Sequence, residues 1–141
     1  MAIYANDGFI NNTKGIIHSK LNPIPLTDLS YNKTITHPSA AANDNFGISV
    51  AVGSGRIVVG AYNDDVNGIS NAGSAHIYDL NGNYVGIITH PSAAANDYFG
   101  GSVSVGSGRI VVGAFNDDVN GISNAGSAHI YDLNGNYVGI I

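Results

Sequence analysis

Apolar and polar positions in this chain alternate with a period of two, in short runs cut by glycine, asparagine and aspartate. From Phe46 to Val52 large and small side chains alternate, which places Phe46, Ile48, Val50 and Val52 on one face of a predicted strand. Gly53, Ser54 and Gly55 supply the positive φ of a tight hairpin turn. Arg56 to Ala61 is apolar on both faces, as suits a strand buried between neighbouring sheets. A long polar loop from Asn63 to Gly73 follows, then a third strand from Gly73 to Asp79. Asn81 and Gly82 turn the chain into a fourth strand, Tyr84 to Thr89. His90, Pro91 and Ser92 end the unit, because proline has no N–H to give to a ladder.

The unit then repeats. Residues 37–88 match 90–141 with four differences: Asn45/Tyr98, Ile48/Gly101, Ala51/Ser104 and Tyr62/Phe115. Four short antiparallel strands in about 50 residues is the arithmetic of a propeller blade. The predicted fold is therefore all-β, with two four-stranded antiparallel blades in tandem, 37–89 and 90–141. Residues 27–36 resemble the stretch from Tyr78 to Thr89 and read as a lone outer strand ahead of them, giving a repeat region of 27–141.

Composition supports this and narrows the function. The chain has 141 residues, 19 of them Gly, and all ten acidic residues are Asp. Without Glu or Gln it lacks good helix formers, which argues against helical bundles and most α/β enzymes. A hydrophobic content of 44% argues against disorder. Five basic residues at net charge −5 leave no basic stripe, so no nucleic-acid partner is expected. No apolar run reaches the roughly 20 residues of a spanning helix, so no membrane insertion is expected. The first residues lack a basic region and an apolar core, and no cleavable secretory leader is expected. The absence of Cys removes disulfides, thiol catalysis and cysteine-based zinc sites.

Asp44 to Val52 and Ile57 to Tyr62, with their copies at Asp97 to Gly100 and Val111 to Phe115, resemble the FG-GAP repeat of integrin-α-type propellers. Bacterial and bacteriophage arrays of this kind carry a similar Asn-Asp-Asp loop and a strand like Gly73–Asp79 and Gly126–Asp132. The resemblance implies a propeller and a virion-type or extracellular interaction role, without catalysis. The chain departs from the family in one place: only Gly53 to Arg56 stands where integrin-type repeats carry an Asp-rich calcium loop.

Candidate chemistry is sparse. Asn63, Asp65, Asn67 and Asn71, repeated as Asn116, Asp118, Asn120 and Asn124, place side-chain oxygens at the spacing of an EF-hand-like loop. Only one of each four is anionic. Weak calcium binding is thus the most expected of it, and no other cofactor; the same residues build Asx-turns in an exposed loop. His37 and His90, like His76 and His129, lie a blade apart, and a shared metal or a catalytic role is not expected of them. Asp44 and Asp97 read as turn caps, and Arg56 and Arg109 as partners of a loop carboxylate. Tyr98, which replaces Asn45, is a candidate stacking face for a sugar.

Two blades do not close a ring of about 4–8. Assembly with further copies, docking onto a different protein, or a place in a longer array would complete it; homo-oligomerisation is expected, a trimer of two-bladed chains being favoured. Residues 1–26 mix Ile3, Tyr4, Phe9 and Ile10 with Asn and Gly and read as an arm that anchors to a protein scaffold. The function expected is a non-enzymatic structural or interaction protein at a virion or extracellular surface. A multivalent glycan-binding lectin and a calcium-dependent adhesion module are the alternatives.

Overall fold

The computed structural model describes residues 33–141. Among them are eight strands and no helix: β1 Ser49–Gly53, β2 Arg56–Ala61, β3 Ser74–Asp79, β4 Tyr84–Thr89, β5 Phe99–Gly106, β6 Arg109–Ala114, β7 Ser127–Asp132 and β8 Tyr137–Ile140. They form two antiparallel four-stranded sheets, each in simple chain order, β1-β2-β3-β4 and β5-β6-β7-β8. This is the tandem pair of blades that the repeat predicts. The arm expected over 1–26, with Ile3, Tyr4, Phe9 and Ile10, lies outside the described residues. So does most of the leading strand expected over 27–36, and residues 33–36 carry no strand.

Turn chemistry sets the register. Ser54 and Gly55 have φ of 48° and 78°, so both central residues of the β1–β2 hairpin are left-handed, as a tight two-residue turn requires. Gly53 is then opposite Arg56 and Val50 opposite Val59. Phe46 and Gly47 do not extend β1 as the alternation predicts. They stand in a turn just ahead of it, with Gly47 at φ 94°.

The blades stack face to back. The first blade's front carries Val58, Ala75, Ile77 and Ile88; the second blade's back carries Ile110, Val112, Ala114 and Tyr131. Together with Phe99 they make one buried core, against which Val103, Val105 and Leu133 pack. The two blades thus use opposite faces of nearly the same sequence. Among the described residues, a heterologous contact of this kind leaves one face over at each end. On the first blade's back, Val52 is 69% exposed, whereas its counterpart Val105 is half-buried in the junction. On the second blade's front, Ile130 is half-buried where its counterpart Ile77 is wholly buried.

Phe99 and Gly100 make the seam. Phe99 is fully buried among His90, His129 and Tyr131 of its own blade. Burial of such a ring contributes about 1.5–3 kcal/mol. Its N–H donates to Ala72 O of the first blade (3.0 Å), that of Tyr98 to Asn71 O (3.2 Å), and that of Asn96 to Ser70 O (3.0 Å). Ser49 Oγ donates to Gly100 O across the seam (2.7 Å). The backbones approach so closely that a Cβ on Gly60 or Gly100 would collide with the other blade's main chain. Arg56 adds a clasp: its Nε donates to Leu133 O (3.0 Å) in the β7–β8 turn. Its partner across the seam is therefore a carbonyl and not the expected loop carboxylate.

The seam predicts an asymmetry between equivalent glycines. A Cβ on Gly53 would stand 2.7 Å from Val105 O, whereas one on the equivalent Gly106 meets open space. Overpacking of this kind costs about 1–3 kcal/mol. By calorimetry, Gly53→Ala is expected to lower the melting temperature by about 5 °C or more, and Gly106→Ala to leave it unchanged or slightly raised. Equal effects would contradict the face-to-back seam.

Candidate functional site

The described residues bring polar groups together in one recurring place, the pocket behind each Phe-Gly turn. His37 arrives from the segment before the blade, Asp64 from the start of the long loop and His76 from β3. In the second blade the set is His90, Asp117 and His129. The two histidine rings of each set lie 4.3 Å apart. The sequence pairs equivalent histidines of neighbouring blades, but the fold joins the two non-equivalent ones within a blade. Asp64 and Asp117, beside the candidate loop positions, are the residues that sequence reasoning passes over. The signal available was their place after Ala61-Tyr62 and Ala114-Phe115, at the strand end nearest the histidines.

Hydrogen bonds settle the proton positions. Ser39 N–H donates to His37 Nδ1 (3.1 Å) and Ser92 N–H to His90 Nδ1 (3.1 Å). An accepting Nδ1 puts the proton of the neutral ring on Nε2. His90 Nε2 then donates to Asp117 Oδ2 at 3.2 Å, while His37 Nε2 stands 3.5 Å from Asp64 Oδ2. Ser74 Oγ donates to Asp64 Oδ2 (2.6 Å), which leaves it to accept from His76 Nε2 (2.9 Å). The His76 ring 3.9 Å away, then the Ser74 hydroxyl bond and the His37 ring, hold the Asp64 carboxyl below its ordinary range against the opposing effect of burial.

Two histidines and a carboxylate with ligand atoms within 4.8 Å of one another have the composition of a divalent-metal site. The donor chemistry does not fit that use. A ligating histidine donates its remote N–H and offers a bare nitrogen to the metal. In His37 and His90 the remote nitrogen accepts a hydrogen bond, so the inward one carries the proton. The pocket is built as a hydrogen-bonded polar core beneath the Phe-Gly turn.

The long loop uses its Asn and Asp differently. Asp65 Oδ1 accepts from Asn71 N–H (2.8 Å) and Asp118 Oδ1 from Asn124 N–H (2.7 Å). Asn67, Asn71, Asn120 and Asn124 are left-handed, with φ between 51° and 54°. Asn63, Asp65 and Asn71 line a polar cleft of about 330 Å³ with Asp44 and Asp64, and Asn67 lies outside it. Asn116 is half-buried at the matching place in the second blade, where its N–H donates to Asp97 O (3.3 Å). Asp44 and Asp97 cap turns through Ala41 N–H and Ala94 N–H, both at 2.6 Å.

Tyr98 stands at the seam. Its ring stacks on Phe115 (5.1 Å, 13°) and meets Tyr62 of the first blade edge-on (5.6 Å). A Cβ on Gly101 would lie 3.0 Å from the Phe115 ring. Three of the four differences between the copies therefore fall in one cluster. In the first blade Asn45 Nδ2 donates to the Tyr62 hydroxyl instead (3.3 Å). One face of Tyr98 is already occupied, and the exposed aromatic of the cluster is Phe115.

The polar core predicts acid sensitivity. Burial, then the neighbouring His90, pushes the His129 pKa down, with Asp117 and Asp97 opposing. Above about pH 6.5 both folded and unfolded states leave the ring neutral. Below it the unfolded chain takes up the proton first, so stability falls as pH drops towards the folded-state value. Asp64 adds a further loss below its ordinary 3.8. Melting temperature is expected to decline from pH 6.5 to 5, and His129→Gln to flatten that decline; an unchanged slope would sink this assignment.

No curated protein matches the chain. The FG-GAP repeat family model matches residues 31–78 and 84–131. The second match takes β4 from the first blade and β5 to β7 from the second, so the family's repeat unit spans the seam. With two in-register matches over most of its length, on two four-stranded blades stacked through Phe99 and Gly100, the chain belongs to the FG-GAP repeat family.

Proposed function

We propose that this β-propeller-like module is a structural and interaction component of a bacteriophage virion, of the decoration, fibre or appendage kind, which displays its blades through an N-terminal anchor. The observation that carries the reading is how each blade is used. Its two faces are near-complete docking surfaces, one spent on the neighbouring blade and the other left outward. A module of this design adds binding area by repetition, as particle surfaces do. The apolar, aperiodic stretch around Ile3, Tyr4, Phe9 and Ile10 supplies the attachment to a protein scaffold.

The lectin reading has one observation in its favour. The aromatic cluster of Tyr62, Tyr98 and Phe115 lies at the seam, and Phe115 offers an exposed ring for stacking on a sugar. The loop carboxylates of Asp65 and Asp118 would supply weak calcium sites in an adhesion module.

One set of assays separates these readings. Full-length chain is expected to co-sediment with particles from the producing cells, and chain lacking residues 1–26 to remain in the supernatant. Glycan-array binding abolished by Phe115→Ala, without particle association, would favour the lectin. Melting and binding that collapse on chelation of calcium would favour the adhesion module.

A further inference from the structure

We propose that the open front of the second blade seats the Phe46-Gly47 turn of a second copy of this chain, joining chains head to tail through a repeat of the internal seam. The proposal rests on the blade geometry and stands whether or not the virion reading holds.

The receiving site is already formed. On the second blade's front lies a groove of about 580 Å³ whose lining includes Ser102, Gly113, Gly126, Ser127, Ala128 and Ile141. Their counterparts in the first blade are Ser49, Gly60, Gly73, Ser74, Ala75 and Ile88, the residues that hold the Phe99-Gly100 start of β5 or form the core against it. Ser49 Oγ bonds Gly100 O, Gly73 pairs with Phe99, and Gly60 permits the close approach of Gly100. All six positions carry identical residues in the two copies. The groove repeats the internal seat at eight of its ten lining positions; Gly101 and Phe115 stand where the first blade has Ile48 and Tyr62.

The inserting edge is formed as well. Phe46 packs edge-on against His37 (5.4 Å) and Tyr78 (6.4 Å), the same environment that Phe99 has in His90 and Tyr131. Gly47 has φ 94°, against 91° for Gly100, yet a Cβ there would touch nothing among the described residues, whereas at Gly100 it would strike the first blade. Elsewhere on the first blade Val50, and Leu80 in the β3–β4 turn, are more than 60% exposed. Their counterparts Val103 and Leu133 pack against the buried core. Arg109 is placed to repeat the clasp that Arg56 makes on Leu133, this time on Leu80 O of the second copy. Shape, apolar surface and hydrogen-bond donors therefore match on both sides. Because the contact is heterologous, it closes into rings or runs into filaments, and rings of two-bladed chains hold an even number of blades.

Two variants test this on the full chain by analytical ultracentrifugation. Wild type is expected as a discrete assembly of two to four chains, matching rings of about 4–8 blades. Phe46→Ala removes the inserting ring. Gly113→Ala places a methyl where the incoming carbonyl must approach, and within its own chain meets chiefly the movable Ser102 hydroxyl. Each alone should weaken association by at least about tenfold. An equimolar mixture keeps one intact junction, the Phe46 of one variant into the groove of the other, and should recover a complex of two chains. A wild-type chain that stays monomeric at high concentration overturns the proposal and leaves the groove to a further blade or a different protein. Phe46→Ala that assembles like wild type overturns it in favour of another inserting segment. Failure of the mixture to form the two-chain complex overturns it too.

Discussion

The architecture depends on how closely two main chains approach at the seam. Gly60 and Gly100 allow the β1–β2 hairpin of one blade to meet the start of the next without an intervening side chain. Three backbone hydrogen bonds and the Ser49 hydroxyl then fix the second blade against the first. Only at that separation does the Phe99 ring fill the space between the sheets. A methyl at Gly60 or Gly100 would hold the sheets apart, and the apolar faces behind them would lose their contact.

The polar core follows from the same geometry. Phe99 needs a firm bed, and the bed is made by rings from two separate segments, His90 and His129, tied to one carboxylate. Buried groups of this sort are tolerable when bonded, and the Ser, His and Asp side chains satisfy most of one another's requirements. His37 Nε2, His76 Nδ1 and His129 Nδ1 stay buried without a hydrogen-bond partner among the described residues. Protonation of His129 charges a ring that burial disfavours charging, which links the blade's interior to pH.

Much of this was legible in the residues. The period of two, the Ser54-Gly55 turn and the duplicated 52-residue pattern give the strands and their order, because each is a local property. The strand from Phe46 read one turn too early, since alternation cannot distinguish a ring in the ladder from a ring placed across its end. The histidine pocket was hidden for a different reason. His37, Asp64 and His76 are 27 and 12 residues apart along the chain, and only the fold of the long loop brings them together. The cluster of Tyr98, Gly101 and Phe115 was visible as three differences between copies but not as a contact. The front and back of a blade cannot be read from one repeat at all, because both faces are apolar.

Amide hydrogen exchange on the dilute, monomeric chain tests the central claim most directly, since the two Phe-Gly turns are nearly the same sequence in different surroundings. If the seam is what secures the blades, amides from Asn96 to Gly100 exchange only with global unfolding, and those from Asn43 to Gly47 exchange far faster. Equal protection of the two segments would contradict it.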